Sequence, residues 1–125
     1  MIVDSSALVA ILNGEPEQEA FMAAIAREPS KVSATTALET AIVARASRHR
    51  DVDALLEDGE IEIIAFDSVQ AKVAREAYAR FGKRSSSQAR LNFGDCMAYA
   101  LAKVADEPLL FKGDDFTHTD ITPAR

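Results

Sequence analysis

The stretch MIVDSSA, residues 1–7, decides the fold that we predict for the chain. Three apolar residues followed by an acid and two small hydroxyl residues are typical of a short buried strand that ends at Asp4. Apolar residues return at positions 8–12, so Asp4 lies at a strand-to-helix junction. Ligands bind beyond the carboxyl ends of strands in open α/β sheets, which makes Asp4 the first candidate for chemistry. Its simpler role would be to cap the helix that follows.

Length and composition limit the class of protein. A chain of 125 residues is long enough to bury about two-thirds of its unfolded surface, and we expect one domain over residues 1–125. The single cysteine, Cys96, excludes an internal disulfide and suits a reducing compartment. No run approaches the roughly 20 apolar residues of a membrane span, and no secretory signal precedes the first strand. We therefore expect a cytoplasmic protein that is not bound to a membrane.

The charge distribution points to local contact with phosphate at most. The formal net charge is −6, from 14 basic and 20 acidic residues, which argues against a protein that simply coats nucleic acid. Basic residues nevertheless cluster at 45–50 and 72–90. Lys83, Arg84 and Arg90 lie in a Ser-rich segment and are the candidates for RNA contact. Solvated helix faces and an ordinary loop explain the same residues equally well.

Apolar segments alternate between strand and helix character along the chain. We predict strands near residues 1–3, 31–34, 60–66 and 108–112, with helices between them. The third helix should begin at Thr35 or Thr36, run to about His49, and pack closely through Leu38, Ala41, Ile42 and Ala44. Such alternation predicts right-handed βαβ units and a central parallel sheet covered on both faces, which is the α/β class.

Acidic residues stand at the ends of the predicted strands or on apolar helix faces. They are Asp4, Glu39, Asp95 and either Asp114 or Asp115. In a parallel sheet these side chains could converge at one edge. Each also has a structural explanation: Thr36-x-x-Glu39 and Asn92-x-x-Asp95 match capping boxes, and residues 113–115 have turn composition.

Convergence would require a cation or shared protons. Two unit charges about 5 Å apart repel by roughly 3 kcal/mol at an effective dielectric constant near 20. Carboxylate oxygens without a thiolate or a well-placed histidine select Mg²⁺ or Mn²⁺ over Zn²⁺. Such an ion suits hydrolysis at phosphorus by water. Ser5 and Ser6 would then support Asp4 rather than act as nucleophiles, because no histidine lies near them in the sequence.

Four segments together resemble a known family. They are MIVDSSA at 1–7, TALET at 36–40, LNFGDCMAYALA at 91–102, and LLFKGDDF at 109–116 with Thr119-Asp120-Ile121 after it. In these segments the whole chain resembles a PIN-domain ribonuclease, and within that group the VapC-type toxins of bacterial toxin–antitoxin pairs.

The resemblance carries expectations about fold and activity. It implies a three-layer α/β/α PIN-like domain with a central parallel sheet of about four or five strands. Asp4, Glu39 and Asp95 match the metal-binding acids of the family, and Asp115 or Asp114 matches the fourth. Ser6 and Asn92 would support them. The family also implies Mg²⁺-dependent cleavage of RNA, with Mn²⁺ as a substitute, a homodimer, and inhibition by a cognate VapB-type antitoxin.

Two other functions remain open at this point. A structure-specific DNA nuclease could use the same fold and the same acids. A catalytically inactive PIN-like binding module could keep the fold and serve only a partner protein, although the presence of an acid at every expected position counts against it.

Overall fold

The computed structural model describes residues 1–124, and its centre is a four-stranded sheet with all strands parallel. The strands are β1 (Ile2–Val3), β2 (Lys31–Ser33), β3 (Glu62–Ile64) and β4 (Leu109–Leu110), in the spatial order β3-β2-β1-β4. The predicted α/β class and strand number are confirmed. Strands β3 and β4 are shorter than predicted, because only their central residues pair with a neighbour.

Six α-helices surround the sheet. They are α1 (Ser5–Leu12), α2 (Gln18–Arg27), α3 (Ala34–Ala44), α4 (His49–Asp58), α5 (Ser68–Phe81) and α6 (Phe93–Ala105), with a 3₁₀ turn at Ala46–Arg48. No helix within residues 1–124 has both the length and the apolar character needed to cross a membrane.

The sheet has an apolar core on each face because successive side chains of a strand point to opposite sides. Ile2 and Leu109 belong to the core beneath α5 and α6. Val3 and Leu110, the next residues of the same strands, belong to the core with α1, α2 and α4. All four side chains are buried, which explains why these strands are continuously apolar in sequence.

The strand order places a crevice beside β1. The chain passes from β1 to β2 and β3 on one side, and β4 then pairs with the other side of β1. The segments that leave β1 and β4 therefore diverge, and this is the position at which open α/β sheets bind ligands. Asp4 follows β1 at this point, and the turn with Asp114 and Asp115 follows β4.

Helix α3 differs from its prediction in length. It ends at Ala44 instead of His49, because Arg45 adopts φ 72° and ψ 159°, a conformation that no α-helix accommodates. The next helix, α4, begins at His49, the residue at which α3 was predicted to end.

The packing predicted for α3 is wrong for its two large side chains, whereas Ala41 and Ala44 are half-buried and Ala44 packs against the core. Leu38 and Ile42 are 61% and 67% exposed, whereas Thr36 and Thr40 are buried. The Thr40 hydroxyl donates to the Thr36 carbonyl oxygen at 2.8 Å, which satisfies that polar group within the helix. Small side chains thus face the protein, and the large apolar ones form an exposed stripe.

Candidate active site

Asp4 is buried where β1 meets α1, and its side chain is 3% exposed. Its backbone N–H donates to the Leu110 carbonyl oxygen at 2.9 Å, which continues the β1–β4 pairing. Its Oδ2 accepts from the Ser6 backbone N–H at 3.0 Å and from the Ser6 hydroxyl at 2.6 Å, so Asp4 caps α1 as the simpler explanation required. Oδ1 is also buried and has no hydrogen-bond partner within residues 1–124. Capping therefore occupies only one of the two carboxylate oxygens.

Ser6 connects Asp4 to the end of β4. Its hydroxyl oxygen accepts from the Lys112 backbone N–H at 3.0 Å while its proton is donated to Asp4. This places Ser6 as a support for Asp4. The partner lies 106 residues away in sequence, so no local pattern could have identified Lys112.

Asp95 occupies the first turn of α6 and is 9% exposed. Its Oδ2 accepts from the Asn92 backbone N–H at 2.9 Å, and Asn92 Oδ1 accepts from the Asp95 backbone N–H at 2.8 Å. The predicted capping box is thus present. Asn92 holds the Asp95 carboxylate through its backbone, while its side chain caps the helix.

Glu39 lies on α3 with its carboxylate directly against Gly94 of α6. A Cβ atom built on Gly94 would stand 1.9 Å from Glu39 Oε2, so the carboxylate occupies the space that any other residue would fill. The capping box predicted for Thr36 and Glu39 is wrong, because α3 begins at Ala34 after Ser33 and Thr36 is already inside the helix. Glu39 therefore has no capping role.

The turn after β4 brings one of its two acids close enough for its charge to act on Asp95. Asp115 is exposed, yet it lies near enough to Asp95 to raise the pKa of that carboxyl. The backbone carbonyl of Asp114 instead closes the turn, accepting from the Thr117 backbone N–H and hydroxyl at 3.0 and 2.6 Å.

The pKa values of the two buried acids are raised first by burial and then by the charges of the neighbouring acids. Burial raises the pKa of Asp4 to about 6 against the opposing hydrogen bonds from Ser6, and the charge of Glu39 raises it further. Burial also raises the pKa of Asp95 to about 7, opposed by the Asn92 N–H and reinforced by Asp4, Asp115 and Glu39. Acids from both ends of the chain therefore interact across one site.

The donor set suits a hard cation. The charges that act on one another here are all carboxylates, and the unpartnered Oδ1 of Asp4 is a buried acceptor without a donor. Cys96 is buried, and burial raises its thiol pKa to about 11, so it supplies no thiolate. Within the described chain, no three His, Cys, Asp or Glu side chains are already arranged to hold a metal ion. The acids are gathered but do not enclose a common point.

The three basic candidates for RNA contact all lie on the surface. Lys83, Arg84 and Arg90 are all exposed in the segment between α5 and α6. Lys83 lines a groove together with Asn92, whereas Arg84 and Arg90 are not among the side chains that line it.

Sequence reasoning missed Gly94 as part of the site. A signal for it existed, because glycine inside a helix costs about 1 kcal/mol relative to alanine and therefore calls for a packing or functional reason. The sequence alone did not identify Glu39 as that reason.

Comparisons with known proteins show the family of the chain. The PIN domain family model matches residues 1–121. Ribonuclease VapC42 of Mycobacterium tuberculosis is 51% identical, with 99% of this chain and 98% of that protein covered. Ribonuclease VapC of Mycolicibacterium smegmatis is 46% identical, with 97% of each covered.

A solved structure gives the same fold. VapC20 of Mycobacterium tuberculosis, described as a toxin that cleaves the sarcin-ricin loop, superposes with a TM-score of 0.77 at 15% identity and covers 99% of this chain and 98% of its own. VapC-type PIN-domain ribonucleases are generally metal-dependent. On the strength of the family match and the near-complete relatives, the chain belongs to the PIN-domain family and, within it, to the VapC-type ribonucleases.

Proposed function

We propose that this protein is the endoribonuclease toxin of a VapBC-type pair, and that Asp4, Glu39, Asp95 and Asp115 hold Mg²⁺ for the hydrolysis of RNA. The observation that carries the proposal is the buried, unpartnered Oδ1 of Asp4 in a group of mutually repelling acids. The relatives named as ribonucleases support the reaction class. We further propose that residues 1–125 act as one domain in the cytoplasm.

The protein's own residues prepare and hold the site. Asp4 and Asp95 must lose their protons to bind a cation, and with pKa values of about 6 and 7 they do so only as the pH approaches neutrality. Ser6 and Asn92 keep the two carboxylates in place by donating to one oxygen of each. Mg²⁺, or Mn²⁺ in its place, would lower the pKa of a water molecule and neutralise charge on the phosphodiester.

The test is cleavage of single-stranded RNA by purified protein, freed from any partner, with Mg²⁺, Mn²⁺ or EDTA. We expect Asp4→Asn and Asp95→Asn to abolish cleavage while leaving the fold intact. Asp53→Asn, an exposed acid on α4, is the matched control and should cleave normally. Full activity in the Asp4→Asn, Asp95→Asn double variant would overturn the proposal.

The same assay separates the alternatives. Preferential cutting of flap DNA would identify a structure-specific DNA nuclease. Failure to cut either nucleic acid, together with no Mg²⁺ or Mn²⁺ binding at millimolar concentration, would identify a binding module.

Asp115 is the proposed fourth acid because its charge acts on Asp95. We expect Asp115→Asn to reduce RNA cleavage at least tenfold more than Asp114→Asn, since removing a ligand or its support typically costs about 10- to 100-fold. Equal losses of RNA cleavage in the two variants would show that the Asp115 carboxylate has no special role and that the turn contributes only through its conformation.

We propose that three exposed cations between α5 and α6 contact RNA phosphates: Lys83, Arg84 and Arg90. Each exposed cation that pairs with a phosphate contributes about one unit to the salt dependence of binding. Replacement by Gln should therefore lower affinity for all RNA sequences alike and reduce the salt slope.

We propose a homodimer that forms through the exposed apolar stripe of α3. Leu38, Ile42 and Val43 are 61%, 67% and 56% exposed, and contiguous apolar surface of this kind marks protein interfaces. Ile42→Glu should give a monomer in sedimentation experiments, and Val104→Glu on α6 is the control at a separately exposed valine. A dimer that survives Ile42→Glu would exclude this surface.

The proposed antitoxin would act on the acids. One solved neighbour is a chain of a toxin–antitoxin complex from Klebsiella pneumoniae, with a TM-score of 0.72 at 17% identity, covering 95% of this chain and 92% of its own. An arginine inserted among the carboxylates would pair with them bidentately and compete with the cation. An antitoxin that contacted only the far side of the domain would exclude this mechanism.

A further inference from the structure

The groove between α5 and α6 has a composition that the hydrolysis of RNA by the acids does not require. It has a volume of about 650 Å³ and is bordered by three aromatic side chains, Phe66, Tyr78 and Phe93. Its floor contains Ala74 and Cys96, which are almost completely buried. The surface is therefore a formed depression in the packed helices.

Phe93 is the most conspicuous side chain in this groove. It is 79% exposed, the highest value among the exposed large apolar residues of the described chain. It is the first residue of α6, two positions before Asp95. An aromatic ring left in water at that place gains nothing for the fold, because burial is what makes apolar side chains stabilising.

The charges of the groove are all of one sign. Arg75 and Lys83 line it and no acid does, although acids outnumber bases 20 to 14 in the chain as a whole. Aromatic faces beside cations are the usual composition of surfaces that bind single-stranded nucleic acid, where bases stack and phosphates are neutralised. An apolar segment of a partner protein would bury these two cations without a counter-charge.

The groove and the acidic site share one residue, Asn92. Asn92 lines the groove, and the backbone N–H of the same residue donates to Asp95 Oδ2 at 2.9 Å. A strand whose phosphate lies at the acids could therefore place a neighbouring nucleotide over the start of α6.

We propose that this groove is a subsite for one unpaired nucleobase of the RNA, with the base stacked on Phe93 and an adjacent phosphate held by Lys83 and Arg75. The proposal rests on the proposed ribonuclease function and adds a substrate requirement to it: the nucleotide beside the cut must be unpaired and turned out of its stack.

The test measures RNA binding in an Asp4→Asn background, so that the probe stays intact. A fluorescein-labelled single-stranded RNA 12-mer of random sequence is titrated by fluorescence anisotropy. We expect Phe93→Ala to weaken binding by about 5- to 150-fold, the range measured for the loss of one base–aromatic stack. Phe93→Tyr, which keeps the ring, should bind within about threefold of the parent, and Val104→Ala, exposed on the same helix, should bind like the parent.

A second measurement identifies the base itself. A 4-thiouridine-containing strand should crosslink to residues of the groove under long-wavelength light, and base-paired RNA of the same sequence should not. Lys83→Gln should reduce the salt slope of binding by about one unit.

Distinct outcomes overturn the proposal. Unchanged RNA binding by Phe93→Ala would do so, and so would parental affinity in Phe93→Leu, since leucine is apolar but has no stacking face. Unchanged RNA binding with loss of self-association or of antitoxin binding would make the groove a protein contact. If the unmodified protein neither cuts nor binds RNA, the proposed function itself fails. If it cuts RNA but the Phe93 variants bind RNA as tightly as the parent, only this inference fails.

Discussion

At the scale of single residues, Gly94 shows how one missing side chain shapes the site. A Cβ atom on residue 94 would overlap the Glu39 carboxylate, because it would stand 1.9 Å from Glu39 Oε2. The atom in the way is the far end of a flexible side chain, so a substitution would displace Glu39 more readily than it would disrupt the fold. Gly94 therefore sets how closely α3 and α6 bring their acids together.

Gly94→Ala is expected to separate stability from metal binding. The free energy of unfolding should stay the same or rise by up to about 1 kcal/mol, because alanine is the better helix former. Affinity for Mn²⁺, measured by calorimetry, should fall about 10- to 100-fold, the usual loss when a ligand is misplaced. Unchanged Mn²⁺ affinity would show that Glu39 is not a ligand.

A compensating substitution provides the control. Glu39→Asp shortens the side chain by one methylene and makes room for the alanine. In the Gly94→Ala background it should recover part of the lost Mn²⁺ affinity, whereas alone it should lower affinity. If the two losses are simply additive, the contact between residues 39 and 94 does not position the carboxylate.

At the scale of elements, the end of α3 depends on a strained backbone. Arg45, at φ 72° and ψ 159°, adopts a conformation that is nearly restricted to glycine and costs a side-chain-bearing residue about 1–3 kcal/mol. Sequence periodicity cannot detect this break, because Arg45 is an ordinary helix former flanked by alanines.

Arg45→Gly should therefore stabilise the protein. We expect the free energy of unfolding in urea to rise by about 1 kcal/mol, since the relief of strain exceeds the entropy cost of glycine. Arg50→Gly, inside α4, is the matched control and should lower it by about 1 kcal/mol. A loss of stability in both variants would show that the Arg45 side chain contributes more than its backbone costs.

Helix α6 combines two roles that the sequence presented as alternatives. The Asn92–Asp95 capping box is present, and the same Asp95 carboxylate interacts with Asp4, Asp115 and Glu39. One oxygen accepts the cap hydrogen bond, and the other takes no part in it. Because a carboxylate has two oxygens, the capping role of Asp95 does not exclude a second role in the candidate active site.

At the scale of the whole molecule, the gathered acids should make stability depend on pH. Asp4 and Asp95 have folded-state pKa values of about 6 and 7, above the 3.8 of an ordinary aspartate. Between about pH 4 and pH 7 the native protein binds more protons than the unfolded chain, so stability falls as the pH rises through this window. Glu107, whose pKa is lowered by its hydrogen bond from Lys31, acts in the opposite sense only at lower pH.

For metal-free protein in EDTA, we expect urea unfolding to show a loss of about 2.4 kcal/mol between pH 4 and pH 8 from Asp4 alone. Asp4→Asn should remove the Asp4 share of this loss and leave the Asp95 share, because asparagine keeps the cap without the charge. Mn²⁺ at one hundred times its dissociation constant should restore about 2.7 kcal/mol at pH 8 in the unmodified protein. Stability that rises from pH 4 to pH 8 in EDTA would contradict the burial of these acids.

Much of this protein could be predicted from local signals. The alternation of apolar segments predicted the parallel sheet, Asp4 marked the start of α1, and Asn92-x-x-Asp95 marked the start of α6. The length and exposed face of α3 could not be predicted, because they depend on the conformation of one residue and on which side chains the neighbouring helices leave room for.

The sequence by itself determined the α/β class, the starts of α1 and α6 and the acids themselves, because strand and helix periodicity and capping act between residues a few positions apart. Only the tertiary structure decided that β1 stands between β2 and β4, that Lys112 supports Ser6, and that Glu39 rests on Gly94. These relations join residues tens of positions apart, 106 in the case of Ser6 and Lys112, and they arise from the packing of whole elements.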